Sequence, residues 1–161
     1  MRVLIVGGNA GGASVATRLR RLRPDGEVVM FERGQYVSYA NCGMLYYLEG
    51  TIADRSELFV QTADSLRSKH GIDVRLQSEV IGIDPGPHTI TVRDTVTGAQ
   101  SIEPYDKLVL AMGAEHLLPK IPSIDGVNVI PMWSIPHMDR MAALIRGGAH
   151  STVIIGGGYV G

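Results

Sequence analysis

Cysteine is almost missing from this chain: Cys42 is the single one in 161 residues. One thiol cannot make an internal disulfide framework or a cysteine-rich zinc site. The histidines, His70, His88, His116, His137 and His150, stand without ligand spacing, so no metal is expected. An excess of one charge is missing too. Fifteen basic and sixteen acidic residues leave a formal net charge of -1, which excludes a broad electrostatic footprint for nucleic acid or a membrane surface. Apolar runs such as 3–6 and 108–112 are far shorter than the roughly 20 residues of a membrane span. Met1-Arg2 runs straight into a strand-like stretch, without the long apolar segment or cleavage site of a secretory signal. A soluble, cytoplasmic protein with a small-molecule or protein partner is expected.

What is present is a hydrophobic fraction of 45%, enough for one domain with a real core. Residues 3–6 are apolar and meet Gly7-Gly8. A helical pattern follows, with Val15, Leu19 and Leu22 on one face and arginines toward its end. Pro24-Asp25-Gly26 stops it, and 28–31 read as a second buried strand ending at Glu32. The unit is β-α-β. Short helices are predicted over 42–48 and 63–70, the latter stopped by Gly71, with two short strands after them. Residues 89–93 and 100–103 flank Thr97-Gly98 and read as a small antiparallel excursion. A buried strand is predicted at 107–111, a helix at 135–145 ended by Gly147-Gly148, and an apolar strand at 152–155 running into Gly156-Gly157-Gly158-Tyr159-Val160-Gly161.

In a dinucleotide-binding turn the first glycine bends the chain, the second admits the pyrophosphate and the third lets helix and strand pack. Gly7, Asn9 and Gly12 hold those places. Asn9 departs from the strict pattern, but Asn is the residue after glycine that best tolerates positive φ, and Gly8 and Gly11 are expected to keep the loop thin. Glu32 stands 20 residues beyond Gly12, where a carboxylate can accept from both hydroxyls of an adenosine ribose. It would repel a 2′-phosphate, so the adenosine should belong to FAD or NAD. The competing reading is a glycine turn used only for packing, with Glu32 as a solvated strand end.

Ser38-Tyr39-Ala40-Asn41-Cys42-Gly43, taken with Val6-Gly7-Gly8-Asn9-Ala10-Gly11-Gly12-Ala13, resembles the coenzyme A-disulfide reductases, NADH oxidases and persulfide reductases of the pyridine nucleotide-disulfide oxidoreductases. Tyr105-Asp106-Lys107-Leu108-Val109-Leu110-Ala111-Met112-Gly113-Ala114 resembles that family's second FAD segment, with Met112 where relatives usually carry Thr or Ser. Leu45 stands where coenzyme A-disulfide reductases usually have Pro. The resemblance implies a three-layer α/β domain of the Rossmann-like FAD/NAD(P)-binding type, with a parallel sheet and a small antiparallel excursion. Residues 1–150 would form the amino-terminal part of the FAD domain, and 151–161 the first strand and glycine turn of an NADH domain. Alone, the chain would lack an NADH site and be inactive. It further implies FAD contacts from Gly7, Gly8, Asn9, Ala10, Gly11, Gly12, Glu32, Arg33, Val80, Ala111, Met112 and Gly113, with NAD(P)H as the donor in a homodimeric full-length protein.

A lone cysteine is more often a buried, inert residue than a nucleophile. Cys42, however, follows a polar loop and starts a predicted helix, where backbone N–H groups favour thiolate. The resemblance makes it the redox centre, with Ser38 and Asn41 orienting the thiolate or the flavin. Without a second cysteine nearby, oxidised Cys42 must pair with a small thiol, carry a persulfide or become a sulfenic acid. Related oxidases and peroxidases commonly carry histidine at the Ala10 position, so its absence favours reduction of a disulfide or persulfide, such as coenzyme A disulfide, over oxygen or peroxide. Arg18 and Arg21 read either as a solvated helix face or, by resemblance, as phosphate partners of coenzyme A. The alternatives are an oxidase or peroxidase and a catalytically silent nucleotide-binding module.

Overall fold

A computed structural model describes residues 1–158. In chain order the elements are β1 (Arg2–Val6), α1 (Ala10–Leu22), β2 (Glu27–Phe31), α2 (Gly43–Glu49), a 3-10 turn (Arg55–Leu58), α3 (Ala63–His70), β3 (Asp73–Arg75), β4 (Ser78–Asp84), β5 (Thr89–Asp94), β6 (Gln100–Pro104), β7 (Lys107–Leu110) and α4 (Ile135–Arg146). They fall into two compact units. One holds residues 1–40 and 59–113; the other holds 41–58 and the chain from 114 onward.

The first unit is built on a parallel sheet of order β3-β2-β1-β7, with an antiparallel sheet β4-β5-β6 beside it. Side chains alternate across β1 and β2, and each strand therefore feeds two cores. Val3, Ile5, Val28 and Met30 pack with Ala13 and Ala16 of α1 and Leu66 of α3. Leu4, Val29 and Phe31 pack with Ile90 and Val92 of β5. Helices, parallel sheet and antiparallel sheet thus make the three expected layers. Each large side chain buried this way contributes about 1.5–3 kcal/mol.

Glu103 of β6 ties the layers together, accepting from Arg2 Nη2 at 2.6 Å and from Arg75 Nη1 at 2.6 Å. Burial pushes the Glu103 carboxyl upward, but the hydrogen bonds from Arg2 and Arg75 prevail and hold it below its ordinary value. The Thr62 hydroxyl caps α3 by accepting from Ser65 N, and Gly71 ends the helix in the left-handed region at φ 62°.

Three expectations need correction. The expected face of α1 holds for Val15 and Leu19, which are half-buried and pack against the core beside the buried Gly12, Ala13 and Ala16, but not for Leu22, which is exposed. The first turn lies too close to Gly7 for a side chain on Gly12, and toward the other end Arg20 donates to the carbonyls of His70, Pro24 and Gly26. β7 is an edge strand rather than a buried one, with Leu110 exposed. Residues 152–155 carry no strand and are exposed, because no neighbouring strand among the described residues offers them a ladder. The glycine turn read at 156–161 lies partly outside the described residues.

In the second unit α2 packs on α4, which buries Ile135, Met138 and Ala142. Arg55 donates to Asp139 twice, Nε to Oδ1 and Nη2 to Oδ2, both at 2.8 Å. Arg146 Nη2 donates to the Tyr47 hydroxyl at 2.7 Å. The segment that starts with Cys42 is thereby fastened to α4 at two points.

Candidate functional site

β1 delivers the chain to Gly7, whose φ of +96° makes the sharp bend. A Cβ there would sit 2.3 Å from the Ala111 carbonyl oxygen, and one on Gly12 would sit 1.8 Å from the Gly7 carbonyl oxygen. On Gly8 it would meet Val37 Cγ1 at 2.5 Å. Turn, helix and the end of β7 can approach this closely only without side chains at these positions. Gly11 differs: its Cβ would make ordinary contact with Ala111 at 3.6 Å, so within this unit nothing demands a glycine there.

Asn9 does not serve as a positive-φ substitute for glycine. Its φ is -87°, and its Oδ1 accepts a hydrogen bond from Tyr39 N at 3.0 Å. Next to it, Ser38 N donates to the Gly8 carbonyl at 3.0 Å. Ser38 is buried with φ 48°, a conformation that non-glycine residues seldom take. Its own carbonyl accepts from Val60 N and Gln61 N.

Glu32, half-buried at the end of β2, accepts from Gly8 N through Oε2 and from Gly34 N through Oε1, both at 2.8 Å. A carboxylate has about four acceptor directions, so each oxygen keeps capacity for a further donor. Bracing the turn is a role the sequence reading missed, since nothing in its spacing reports a bond to Gly8. Tyr39 lies close enough that burial first, and the Glu32 carboxylate second, push its phenol above the ordinary value.

The remaining first-unit candidates are dispersed around this turn. Ala10 opens α1 and is exposed, as are Arg18, Arg21 and Arg33. Ala111 N donates to the Val6 carbonyl at 2.8 Å; Met112 is exposed, and Gly113 has φ +69° with open space where a Cβ would stand. Val80 on β4 packs against the core formed by Leu4, Val29 and Phe31.

Cys42 belongs to the second unit. It is exposed, is free of any disulfide and stands immediately before α2, with Asn41 also exposed beside it and its carbonyl accepting from Met44 N. Among the described residues Cys42 is therefore not packed into a core. Elsewhere in this unit the His116 ring stands edge-on to His137 at 5.7 Å between centroids, and His137 shares a 3.1 Å hydrogen bond with Ser134. Burial, then His116 and Arg140, hold His137 below its ordinary value. No group of three or more potential metal ligands occurs among the described residues. None of their helices is long and apolar enough to cross a membrane.

A glycine-lined βα turn, a carboxylate ending the second strand and an antiparallel sheet over the far face define a Rossmann-type dinucleotide-binding domain. The chain belongs to the pyridine nucleotide-disulphide oxidoreductase family, whose sequence pattern matches residues 1–161. It is 36% identical to the NAD(P)H coenzyme A polysulfide/persulfide reductase of Pyrococcus horikoshii, over 99% of this chain and 35% of that protein. The crystal structure of reduced Bacillus anthracis CoADR-RHD superposes with a TM-score of 0.86 at 42% identity, covering 90% of this chain and 26% of that one. The water-forming NADH oxidase of Lactobacillus brevis superposes with a TM-score of 0.85 at 35% identity, covering 93% and 32%. Coenzyme A disulfide reductases of staphylococci match as well. The chain spans about a third of the length of the curated relatives it matches.

Proposed function

We propose that this chain is the FAD-binding part of a flavoprotein that reduces coenzyme A disulfide, or a related small disulfide or persulfide, with NAD(P)H. The observation that carries the reading is an exposed, unpaired Cys42 in a chain whose glycine turn and Glu32 form a dinucleotide cradle. The residues fit FAD. Gly7, Gly8 and Gly12 leave the turn without side chains, Asn9, Ala10 and Gly11 open α1 beside it, and Glu32 has acceptors to spare for the ribose. Arg33, Val80, Ala111, Met112 and Gly113 complete the proposed contacts, those of the last three through the backbone. FAD, when bound, supplies a two-electron link between a nicotinamide hydride and sulfur.

The chain's own chemistry is thiol exchange. Cys42 thiolate attacks one sulfur of the substrate disulfide, a new S–S bond forms, and the other sulfur leaves as a thiolate. Two electrons and two protons then return Cys42 and the second thiol. Ser38 and Asn41 orient this segment, and Arg18 and Arg21 offer guanidinium groups to the phosphates of coenzyme A. The likeness to an NADH oxidase supports a second reading, oxygen reduction, but the methyl of Ala10 can donate no proton there. A catalytically silent nucleotide-binding module is the third. We place the full-length enzyme in the cytoplasm as a homodimer, with 151–161 opening its NADH domain.

Replacing Cys42 with Ser in the full-length protein tests this. Serine keeps the shape but cannot carry a sulfur–sulfur bond. Stopped-flow absorbance should show flavin bleaching by NADH unchanged and no product thiol under anaerobic turnover. Thiol release at the wild-type rate by the serine variant would overturn the reading.

A further inference from the structure

Asn9 occupies the place where a dinucleotide turn ordinarily has its second glycine, yet its backbone makes no use of glycine's freedom. What the residue adds is an acceptor. Its Oδ1 takes the N–H of Tyr39, while the Gly8 carbonyl takes the N–H of Ser38, so two successive amides of one loop are laced to two successive residues of the turn. On the other side the same loop is held by the Ser38 carbonyl, which accepts from Val60 and Gln61, and by a bridge between Tyr39 and Phe59. Between these ties lies the buried, left-handed Ser38. Such a conformation persists only where surrounding bonds over-determine it. Cys42 follows Tyr39 by three residues in the chain.

We propose that Asn9 is a positioning residue: its side-chain carbonyl fixes the strained Ser38–Tyr39 corner to the nucleotide turn and so sets where the cysteine segment begins. This rests on the thiol chemistry proposed for Cys42. A strict glycine at this position would bring the turn closer to the dinucleotide pattern and would release Tyr39 N–H. Restoring the motif should therefore slow the sulfur step more than it slows flavin reduction.

Full-length protein carrying Asn9→Gly or Asn9→Asp tests the assignment. Hydrogen–deuterium exchange comes first: Asn9→Gly should expose the Tyr39 amide to faster exchange, and Asn9→Asp, which keeps the acceptor, should leave it protected. In anaerobic stopped flow, the ratio of thiol release to flavin reduction should fall at least about tenfold in Asn9→Gly, as expected when a reacting group is misplaced by a fraction of an ångström to an ångström. Asn9→Asp should restore that ratio, while its added negative charge weakens retention of FAD, read by flavin fluorescence on dilution. Unchanged exchange at Tyr39 in Asn9→Gly, or an unchanged ratio, overturns the proposal. Cys42→Ser is run beside it: if that variant still releases thiol, the thiol chemistry fails, whereas if it does not and Asn9→Gly is normal, the assignment of Asn9 alone fails.

Discussion

Arg55 holds Asp139 with both arms of its guanidinium at 2.8 Å, joining the end of the cysteine segment to α4 across 84 residues of chain. Its side chain is 33% exposed and that of Asp139 39%, so water screens part of the attraction. The paired geometry raises the contact above an ordinary surface ion pair. A double-mutant cycle with Arg55→Leu and Asp139→Leu, followed by urea unfolding, should give a coupling of about 0.5–1 kcal/mol. Arg55→Lys should lose most of it, since an ammonium cannot present the fork. A coupling indistinguishable from zero would show the pair to be idle.

Gly11 and Gly12 are neighbours in α1 with opposite demands. Gly12→Ala forces a methyl against the Gly7 carbonyl and should destabilise the fold by about 3 kcal/mol or more. Gly11→Ala meets no close atom and gains helix propensity, so it should be neutral or stabilising by up to about 1 kcal/mol. Thermal melts of the flavin-free chain separate the two, and equal losses would contradict the packing described for the turn.

His137 provides a pH signature. Its folded value lies below the ordinary one, chiefly through burial, so the fold prefers the neutral ring. As pH falls through about 6.5, the unfolded chain takes up a proton that the folded chain does not, and stability declines until the lower folded value is reached. Urea midpoints should therefore drop as pH falls through and below about 6.5, and His137→Gln should flatten that slope. A variant with the full slope would remove His137 as its source.

Much of the architecture was legible because it is written locally. The apolar runs at 3–6 and 28–31, the breakers between them, and Gly71 after α3 each report their own element. Thr97-Gly98 marked the antiparallel excursion for the same reason. Periodicity found the face of α1 that carries Val15 and Leu19, but not the exposure of Leu22, nor the small residues that the contact with the turn selects. The edge position of β7 depends on sheet order, which no apolar run reveals. At the site, the glycines and Glu32 stood out by type and spacing. The bonds Glu32 makes to Gly8 and Gly34, Asn9 to Tyr39, and Arg55 to Asp139 could not, since each joins residues whose proximity the fold creates.

The central strand also has a history in time. Val3 pairs with Val28 on one side and with Lys107 on the other. During synthesis the first partner emerges soon after β1, so the βαβ half can close early, with only a short loop to lose entropy. The second flank of β1 must wait until nearly the whole first unit has been made. Through that interval the strand that carries the nucleotide turn has one open edge, and the Gly7 bend has yet to meet Ala111. Within residues 1–113 the contact between the Gly7 bend and Ala111 can therefore form only after β7 has been made.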